Sequence, residues 1–128
     1  MRKCSGCIVT RKKKGGVQVL MIRSSTTNQW THPKGGIEGK LSSAESAVKE
    51  VYEEAGIIGA ISSALGSHKG RSRGLKTSIE WFHLKSVVVL KDYPECATRD
   101  RKWFSAARAI QMTRKSLRPI VKVSVQSA

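Results

Sequence analysis

Residues 35–57 read GGIEGKLSSAESAVKEVYEEAGI, a pattern that predicts a glycine-rich loop followed by a helix. Ser42 is followed three residues later by Glu45, which is a capping-box pattern, so we expect the helix to begin near Ser42. Gly56 is a candidate C-cap, because glycine readily adopts the left-handed conformation that ends many helices. The apolar residues of the predicted helix share one face and should pack on the core: Ala44, Ala47, Val48, Val51 and Ala55.

Three carboxylates occupy another face of this helix. Glu50, Glu53 and Glu54 stand at i, i+3 and i+4, which brings them side by side. Like charges at that spacing destabilise an isolated helix by about 0.2–0.5 kcal/mol per pair, and a divalent cation would offset this cost. Carboxylate oxygens at this density suit Mg²⁺ or Mn²⁺. A solvated acidic surface would show the same pattern, so the carboxylates alone leave both interpretations open.

The segment before the helix, residues 30–39, reads WTHPKGGIEG. Its glycines let the backbone approach a ligand closely. Lys34 lies between Pro33 and Gly35, where a purely structural role is hard to find. A glycine-rich loop in front of a helix that carries metal ligands is typical of phosphate-binding sites. The two features together favour a metal-dependent phosphate site over a solvated helix face.

The whole stretch resembles the Nudix box, in which a glycine is followed after five residues by Glu and after seven more by Arg-Glu-apolar-x-Glu-Glu-x-Gly-apolar. Leu41 stands where the family has Glu, and Lys49 stands where it has Arg. In the family these two residues help clamp the loop to the helix, so the resemblance implies a clamp that is absent or replaced in this chain. The matching positions are Gly35, Glu50, Val51, Glu53, Glu54, Gly56 and Ile57.

Within the family, the chain is similar to diphosphoinositol polyphosphate phosphohydrolases, a group that also includes dinucleoside polyphosphate hydrolases. The similarity rests on Trp30-x-x-Pro-Lys-Gly-Gly, on a basic segment before the long strand, and on Tyr-Pro-Glu at residues 93–95 followed by Trp-Phe at 103–104. It implies Mg²⁺-dependent hydrolysis of a phosphoanhydride. The implied metal ligands are Glu50, Glu53, Glu54 and the Gly35 carbonyl, with Glu53 as general base and Glu50 as second choice. The implied phosphate contacts are Arg23, Lys34, Gly35, Gly36, Lys76 and Lys115.

Composition places an acidic helix inside a strongly basic chain. The 128 residues include 24 Lys and Arg against 9 Asp and Glu, a formal net charge of +15. We interpret residues 1–128 as one domain. Positive charge around metal-binding carboxylates suits a polyanion, either a small polyphosphorylated substrate or RNA. Cys4, Cys7 and Cys96 are expected to be reduced thiols, because no second ligand pair completes a zinc site.

The remaining pattern predicts an α+β fold, a mixed sheet between helices, and the resemblance implies the Nudix α/β/α sandwich. Strands are expected at residues 4–10, 17–23, 57–65, 77–90 and 101–104. The predicted loops are a polar turn at 24–29 and a basic clasp at 66–76. Ser105 should cap a helix over 106–112, and Ser116 should cap a C-terminal helix with Pro119 in its first turn.

Three functions stay open at this point: a polyphosphate hydrolase, an RNA 5′-pyrophosphohydrolase, and a non-catalytic module that binds a phosphorylated ligand. Nucleic acid is possible but not favoured, because the basic runs have no nearby aromatic platform in the sequence. The chain has no apolar run of membrane-spanning length and no secretory signal pattern, so we expect a cytoplasmic monomer or homodimer without membrane contact. Nothing in the sequence chooses between an inositol and a nucleotide substrate.

Overall fold

The structure is a computed structural model that describes residues 1–24, 27–72 and 74–128. The strands are β1 (Arg2–Lys13), β2 (Gly16–Ser24), β3 (Trp30–Thr31), β4 (Lys34–Gly36), β5 (Ile57–Ser72), β6 (Leu75–Val89) and β7 (Arg99–Ser105). The helices are α1 (Ser43–Ala55), α2 (Ala106–Met112) and α3 (Arg118–Gln126), with a 3-10 turn at Lys115–Leu117. None of the described helices has the length and apolar character that crossing a bilayer requires.

The strands form one mixed sheet in the order β3-β2-β1-β6-β5, with β7 paired to β2 and β4 paired to β1. Only the β1–β6 pair is parallel among the described strand pairs. Helix α1 covers one face of the sheet and contributes Ala47, Val51 and Ala55 to the core there. Helices α2 and α3 cover the other face through Ala109 and Val121. The predicted helix–sheet–helix arrangement is therefore confirmed.

A fork in the sheet positions the glycine-rich loop. Residues 9–13 of β1 pair with β2, whereas residues 4–6 on the same edge of β1 pair with β4. The two long strands therefore diverge, and the segment that contains β3 and β4 fills the space between them. The Cys7 N–H donates to the Pro33 carbonyl at 3.1 Å, which ties this segment into the fork. As a result, β4 lies against α1, with Gly35 beside the carboxylate of Glu50.

The prediction of a loop at residues 66–76 is wrong, because most of this segment belongs to strands β5 and β6. Strand β5 continues to Ser72, β6 begins at Leu75, and the two strands pair from Gly66 up to the Ser72–Leu75 pair. The three register shifts between them lie earlier, at residues 58–66. Gly66 has φ +106°, which lets the backbone absorb one of these irregularities. Charged residues and glycines make the segment look like a loop locally, but pairing with β6 overrides that preference. Arg73, one member of the predicted basic clasp, and two residues of the predicted turn at 24–29 lie outside the described residues.

The C-terminal part confirms two predictions and corrects one. Ser105 caps α2, because its side chain accepts from the Arg108 N–H at 3.2 Å, and Pro119 lies in the first turn of α3. Ser116 does not cap α3, since it lies within the 3-10 turn and the helix begins at Arg118. Its hydroxyl instead contacts His68 Nε2 of β5 at 3.0 Å, a tertiary contact that local sequence does not reveal.

Candidate active site

Both ends of α1 are fixed by the predicted caps. Ser42 Oγ accepts from the Glu45 N–H at 3.1 Å, and Glu45 Oε1 accepts from the Ser42 N–H at 3.0 Å. Gly56 has φ +64°, and its N–H donates to the Tyr52 carbonyl at 3.0 Å. Arg101 adds a bond to the Ala55 carbonyl at 2.8 Å. The helix is thus held in a register that turns its carboxylates toward β4.

Three carboxylates meet at one point beside the loop. Oxygen atoms of Glu38, Glu50 and Glu53 all lie within 4.8 Å of one another. Burial raises the pKa of the Glu50 carboxyl, and the negative charges of Glu53, Glu95 and Glu38 raise it further. Such a concentration of charge is favourable for a cation and unfavourable without one. Glu38 was not predicted as part of this site.

Gly35 allows this approach. A Cβ atom at this position would lie 2.2 Å from the Glu50 carboxyl carbon, well inside van der Waals contact. A Cβ at Gly36 would lie 3.1 Å from an Arg2 guanidinium nitrogen. The two glycines therefore allow close contact between β4 and the side chains of Glu50 and Arg2, and close approach to a ligand stays a prediction.

Glu54 has different partners from the other two helix carboxylates. It is 6% exposed; its Oε1 accepts from the Lys34 N–H at 3.0 Å, and its Oε2 lies 3.2 Å from Arg99 Nη2. Burial raises the pKa of Glu54 to about 7, although the Arg99 charge opposes the shift. Glu54 thus holds β4 against α1, and the described oxygen cluster does not include it.

The clamp implied by the resemblance is replaced rather than absent. Lys49 Nζ lies 2.5 Å from Glu38 Oε1 and 3.5 Å from Glu53 Oε1. The Glu38 N–H also donates to Ser46 Oγ at 3.1 Å, which ties the loop to the helix a second time. The hydrogen bond to Glu38 raises the pKa of Lys49. A loop carboxylate three positions before Leu41 therefore provides the acidic partner for Lys49.

A cavity of about 430 Å³ opens onto the carboxylates. Of the predicted phosphate contacts, Lys34, Gly35 and Gly36 line it. Arg23 is 2.8 Å from Asp100 and stacks 4.6 Å over the Trp30 ring, away from this cavity. The remaining predicted contacts, Lys76 and Lys115, are also not among its lining residues.

The structure adds site residues that sequence reasoning missed. Arg2, Glu95 and Arg99 line the same cavity, and Arg99 pairs with Glu95 at 2.6 Å as well as with Glu54. They come from β1 and from the chain after β6, far from the motif in sequence. Glu38 had a local signal, since it lies in the same loop as Gly35, and Glu95 belonged to the Tyr-Pro-Glu motif at residues 93–95.

A second cavity, of about 630 Å³, adjoins the first and shares Thr31, His32 and Lys34 with it. Beyond it, a groove carries Arg23, Lys102 and other basic residues beside aromatic rings. Lys102 Nζ lies 5.3 Å from the centre of the Phe104 ring. The fold thus brings cations and aromatic rings together, although the sequence had shown no aromatic platform near the basic runs.

The sequence comparisons point to one family. A model described as the NUDIX domain matches residues 2–123. Nudix hydrolase 21, chloroplastic, of Arabidopsis thaliana is 34% identical over 122 residues, covering 90% of this chain and 61% of that protein. Diphosphoinositol polyphosphate phosphohydrolase 2 of Mus musculus is 30% identical over 113 residues, covering 87% of this chain and 62% of that protein. The chain spans about three-fifths of the length of these two relatives.

The structural comparisons agree on the fold. An Ap4A hydrolase of C. elegans has a TM-score of 0.75 at 19% identity, covering 99% of this chain and 96% of that one. The Nudix domain of Shewanella oneidensis NrtR, solved with ADP ribose, has a TM-score of 0.80 at 14% identity, covering 100% and 89%. At these identities the likeness shows the fold alone, which confirms the predicted α+β sandwich. Because the family model matches residues 2–123 of the 128, this chain belongs to the Nudix family.

Proposed function

We propose that this chain, acting as a single domain, is a Mg²⁺-dependent hydrolase of a phosphoanhydride bond in a small polyphosphorylated substrate. The substrate is of the nucleoside-diphosphate or the diphosphoinositol polyphosphate type. The observation that carries the proposal is the meeting of Glu38, Glu50 and Glu53, two of which, Glu50 and Glu53, line a cavity together with Lys34 and Gly35. Family membership and the names of the relatives support the same reaction class.

The residues present fit a divalent cation. Three carboxylate oxygens within 4.8 Å of one another form a hard-oxygen donor set. Burial, and then the charges of neighbouring carboxylates, raises the pKa of Glu50, and a cation would relieve the repulsion between these charges. Glu50 and Glu53, with Glu38 and the Gly35 carbonyl, would hold Mg²⁺, or Mn²⁺ in its place. The bound ion supplies charge neutralisation at the phosphate oxygens. Glu38 and Glu53 now pair with Lys49, so they would exchange or share that partner on binding the metal. Glu54 would likewise join this set only by exchanging Arg99 for the metal.

The other side chains bind the substrate and move a proton. Lys34 lies on the cavity wall, where its ammonium would bind a substrate phosphate. Glu53 would accept a proton from the attacking water, and Glu50 is the second candidate for this role. Arg99 and Glu54 keep β4 in contact with α1, so the glycine backbone stays beside the carboxylates.

The test is release of inorganic phosphate from diphosphoinositol polyphosphates and of adenosine nucleotides from diadenosine polyphosphates, with Mg²⁺ and with EDTA. Glu50→Gln and Glu53→Gln should each lower turnover on the order of 10³-fold, equivalent to several kcal/mol of transition-state stabilisation. Glu45→Gln is the matched control, because it lies on the same helix and glutamine can still complete the capping box. Unchanged turnover in both active-site variants would overturn the assignment.

Metal binding has a readout that is independent of turnover. Mg²⁺ should raise the melting temperature of the unmodified chain and of Glu45→Gln, since a ligand that binds only the folded state stabilises it. The increase should be smaller in Glu50→Gln and Glu53→Gln. Equal increases in all four proteins would remove these carboxylates from the metal site.

An RNA 5′ end is the second candidate substrate. It is favoured by the groove that brings Arg23, Lys102 and Arg108 beside Trp30 and Phe104, because single-stranded nucleic acid binds to cationic grooves with aromatic side chains. A 5′-triphosphorylated RNA should then release pyrophosphate or phosphate with Mg²⁺. If the RNA binds and its 5′ end stays intact, the hydrolysis of RNA ends is excluded and only RNA binding remains of this candidate function.

A further inference from the structure

One end of the sheet exposes several apolar side chains together. Strand β6 ends and strand β5 begins there, and Ile58 pairs with Val88 across the two strands. The exposed fraction is 47% for Ile58, 72% for Val87, 43% for Val88 and 43% for Val89. These are four of the eight large apolar side chains that are exposed in the described part of the chain. Single exposed apolar residues are common on protein surfaces, whereas several at one place indicate a binding surface.

A β-bulge presents the most exposed of these side chains. Val88 pairs with Ile58 and Ser86 pairs with Gly59, so the pairing skips Val87, which is the extra residue of β6. A bulge bends the strand and points a side chain away from its regular direction. Val87 thus buries little of its surface within the chain, and its methyl groups are accessible to a partner.

Lysines lie at the same end of the sheet. Strands β1 and β6 run parallel up to the pair Thr10–Lys85, and both continue beyond this pair in the same direction. The continuation of β1 is a tight hairpin, in which Gly15 and Gly16 have φ of +100° and +137°. The exposed lysines on this hairpin, on β6 and directly after β6 are Lys12, Lys13, Lys14, Lys85 and Lys91.

The charges of these five lysines are not neutralised by the described residues. The ion pairs in the described part of the chain all involve other side chains. No acidic residue occurs at positions 10–18 or 84–91, and Asp92 is the first one after β6. A cluster of positive charges acts over about 8–10 Å at physiological salt, which makes this end of the sheet attractive to an anionic surface.

We infer that this end of the sheet docks on the surface of an anionic lipid bilayer. Such a bilayer offers negative headgroups to the lysines and, just below them, an apolar layer to the valine and isoleucine side chains. RNA would match the lysines but not the aliphatic side chains, because its bases stack on aromatic rings. A second copy of the chain would bring its own lysines to the contact, and like charges repel.

This docking end, comprising Ile58, Val87–Val89 and the five lysines, is separate from the carboxylate cavity. Gly35 of that cavity pairs with Ser5. Lys12 is seven residues further along β1, about 23 Å at the rise of a β-strand. The inference therefore goes beyond the proposed hydrolysis and does not depend on it. We expected no membrane contact from the sequence, because the chain has no apolar run of spanning length, but docking on a surface requires no such run.

Sedimentation with lipid vesicles tests the inference, using phosphatidylcholine alone and phosphatidylcholine mixed with phosphatidylserine. The chain should bind only the vesicles that contain phosphatidylserine, and added salt should weaken this binding. The double variant Lys12→Gln with Lys13→Gln should bind roughly tenfold or more weakly, because each lysine near the anionic surface contributes to the affinity. Val87→Ser should weaken binding severalfold, because it removes apolar surface that the bilayer would cover.

Matched controls lie at the opposite end of the same strands. Lys3→Gln with Lys69→Gln removes the same amount of charge, and both lysines pair with Ser78 near the start of β6. Leu75→Ser removes an apolar side chain that is 57% exposed. Both controls should bind vesicles as the native chain does. Equal weakening by the two lysine pairs would show that net charge alone is responsible and would overturn the inference, as would native binding by Val87→Ser.

A measurement on the unmodified chain protects the test against poorly folded variants. In bicelles that contain phosphatidylserine and a spin-labelled lipid, the methyl signals of Val87 and Val88 should be attenuated in NMR and those of Leu75 should not. Equal attenuation of all three, or no binding to any anionic vesicle, would overturn the inference. If Lys12, Lys13 and Val87 instead support binding of single-stranded RNA or a dimer in sedimentation velocity, without vesicle binding, the docking end belongs to that partner and the inference is likewise overturned.

Discussion

Replacing Gly35 with alanine places a methyl group where the carboxyl group of Glu50 lies. The new Cβ would be 2.2 Å from Glu50 Cδ and 2.4 Å and 2.6 Å from its two oxygens. Ordinary van der Waals contact begins near 3.4 Å. The carboxylate must therefore move by about 1 Å, and a displacement of that size at a reacting group costs about 10²-fold in rate.

The same substitution should barely affect folding. Gly35 does not have a positive φ, so alanine introduces no backbone strain there. The clash is with the end of a flexible, partly exposed side chain, which can rotate away, so we expect a stability change within about 1 kcal/mol. Loss of activity without loss of stability is the signature that distinguishes a displaced ligand from a disrupted fold.

Two neighbouring glycines provide graded controls. A Cβ at Gly39 would meet nothing within 4 Å, and one at Gly36 would lie 3.1 Å from the mobile end of Arg2. The measurements are the turnover rate and the Mg²⁺ midpoint, which is the Mg²⁺ concentration that gives half-maximal turnover. Both should equal the native values in Gly39→Ala and change slightly in Gly36→Ala. In Gly35→Ala the turnover rate should fall strongly and the midpoint should rise. If Gly35→Ala and Gly39→Ala show the same turnover and the same midpoint, the reasoning about close approach is refuted.

Two further predictions concern stability. The pKa of His32 is about 4 in the folded chain, whereas its ordinary value is 6.5. Between pH 6.5 and pH 4 this imidazole is therefore protonated in the unfolded chain and neutral in the folded chain, so the stability of the fold decreases as the pH falls through this range. The free energy of unfolding in urea should be measured for the native chain and for His32→Gln, because the difference between them removes the opposite contribution of Glu54, which both contain. Between pH 7 and pH 4 the native chain should lose about 3 kcal/mol relative to the variant. A difference that does not change with pH contradicts the prediction. For the Lys49–Glu38 pair, a double-mutant cycle with Lys49→Met and Glu38→Gln should give a stabilising coupling free energy that differs from zero. Lys40→Met with Glu38→Gln should be additive, and equal coupling in the two cycles would exclude a specific clamp.

The sequence by itself determined α1 and its carboxylates. A capping box, a left-handed glycine and an apolar stripe involve residues no more than four positions apart, so the pattern around Ser42 and Gly56 contains all the information that the helix requires. The spacing of Glu50 and Glu53 likewise determines that they share a face. For the same reason the Ser105 cap of α2 was predictable.

Only the tertiary structure decided what surrounds those carboxylates. Glu38 reaches them because the fork between β1 and β2 holds the loop against α1, and Arg99 pairs with Glu54 because of where the chain after β6 runs. The same holds for the predicted loop at residues 66–76, where the register with β6 imposed a strand, and for Ser116, which bonds to His68 instead of capping a helix. Contacts between residues distant in sequence depend on how the strands are ordered and paired, and no local pattern encodes that order.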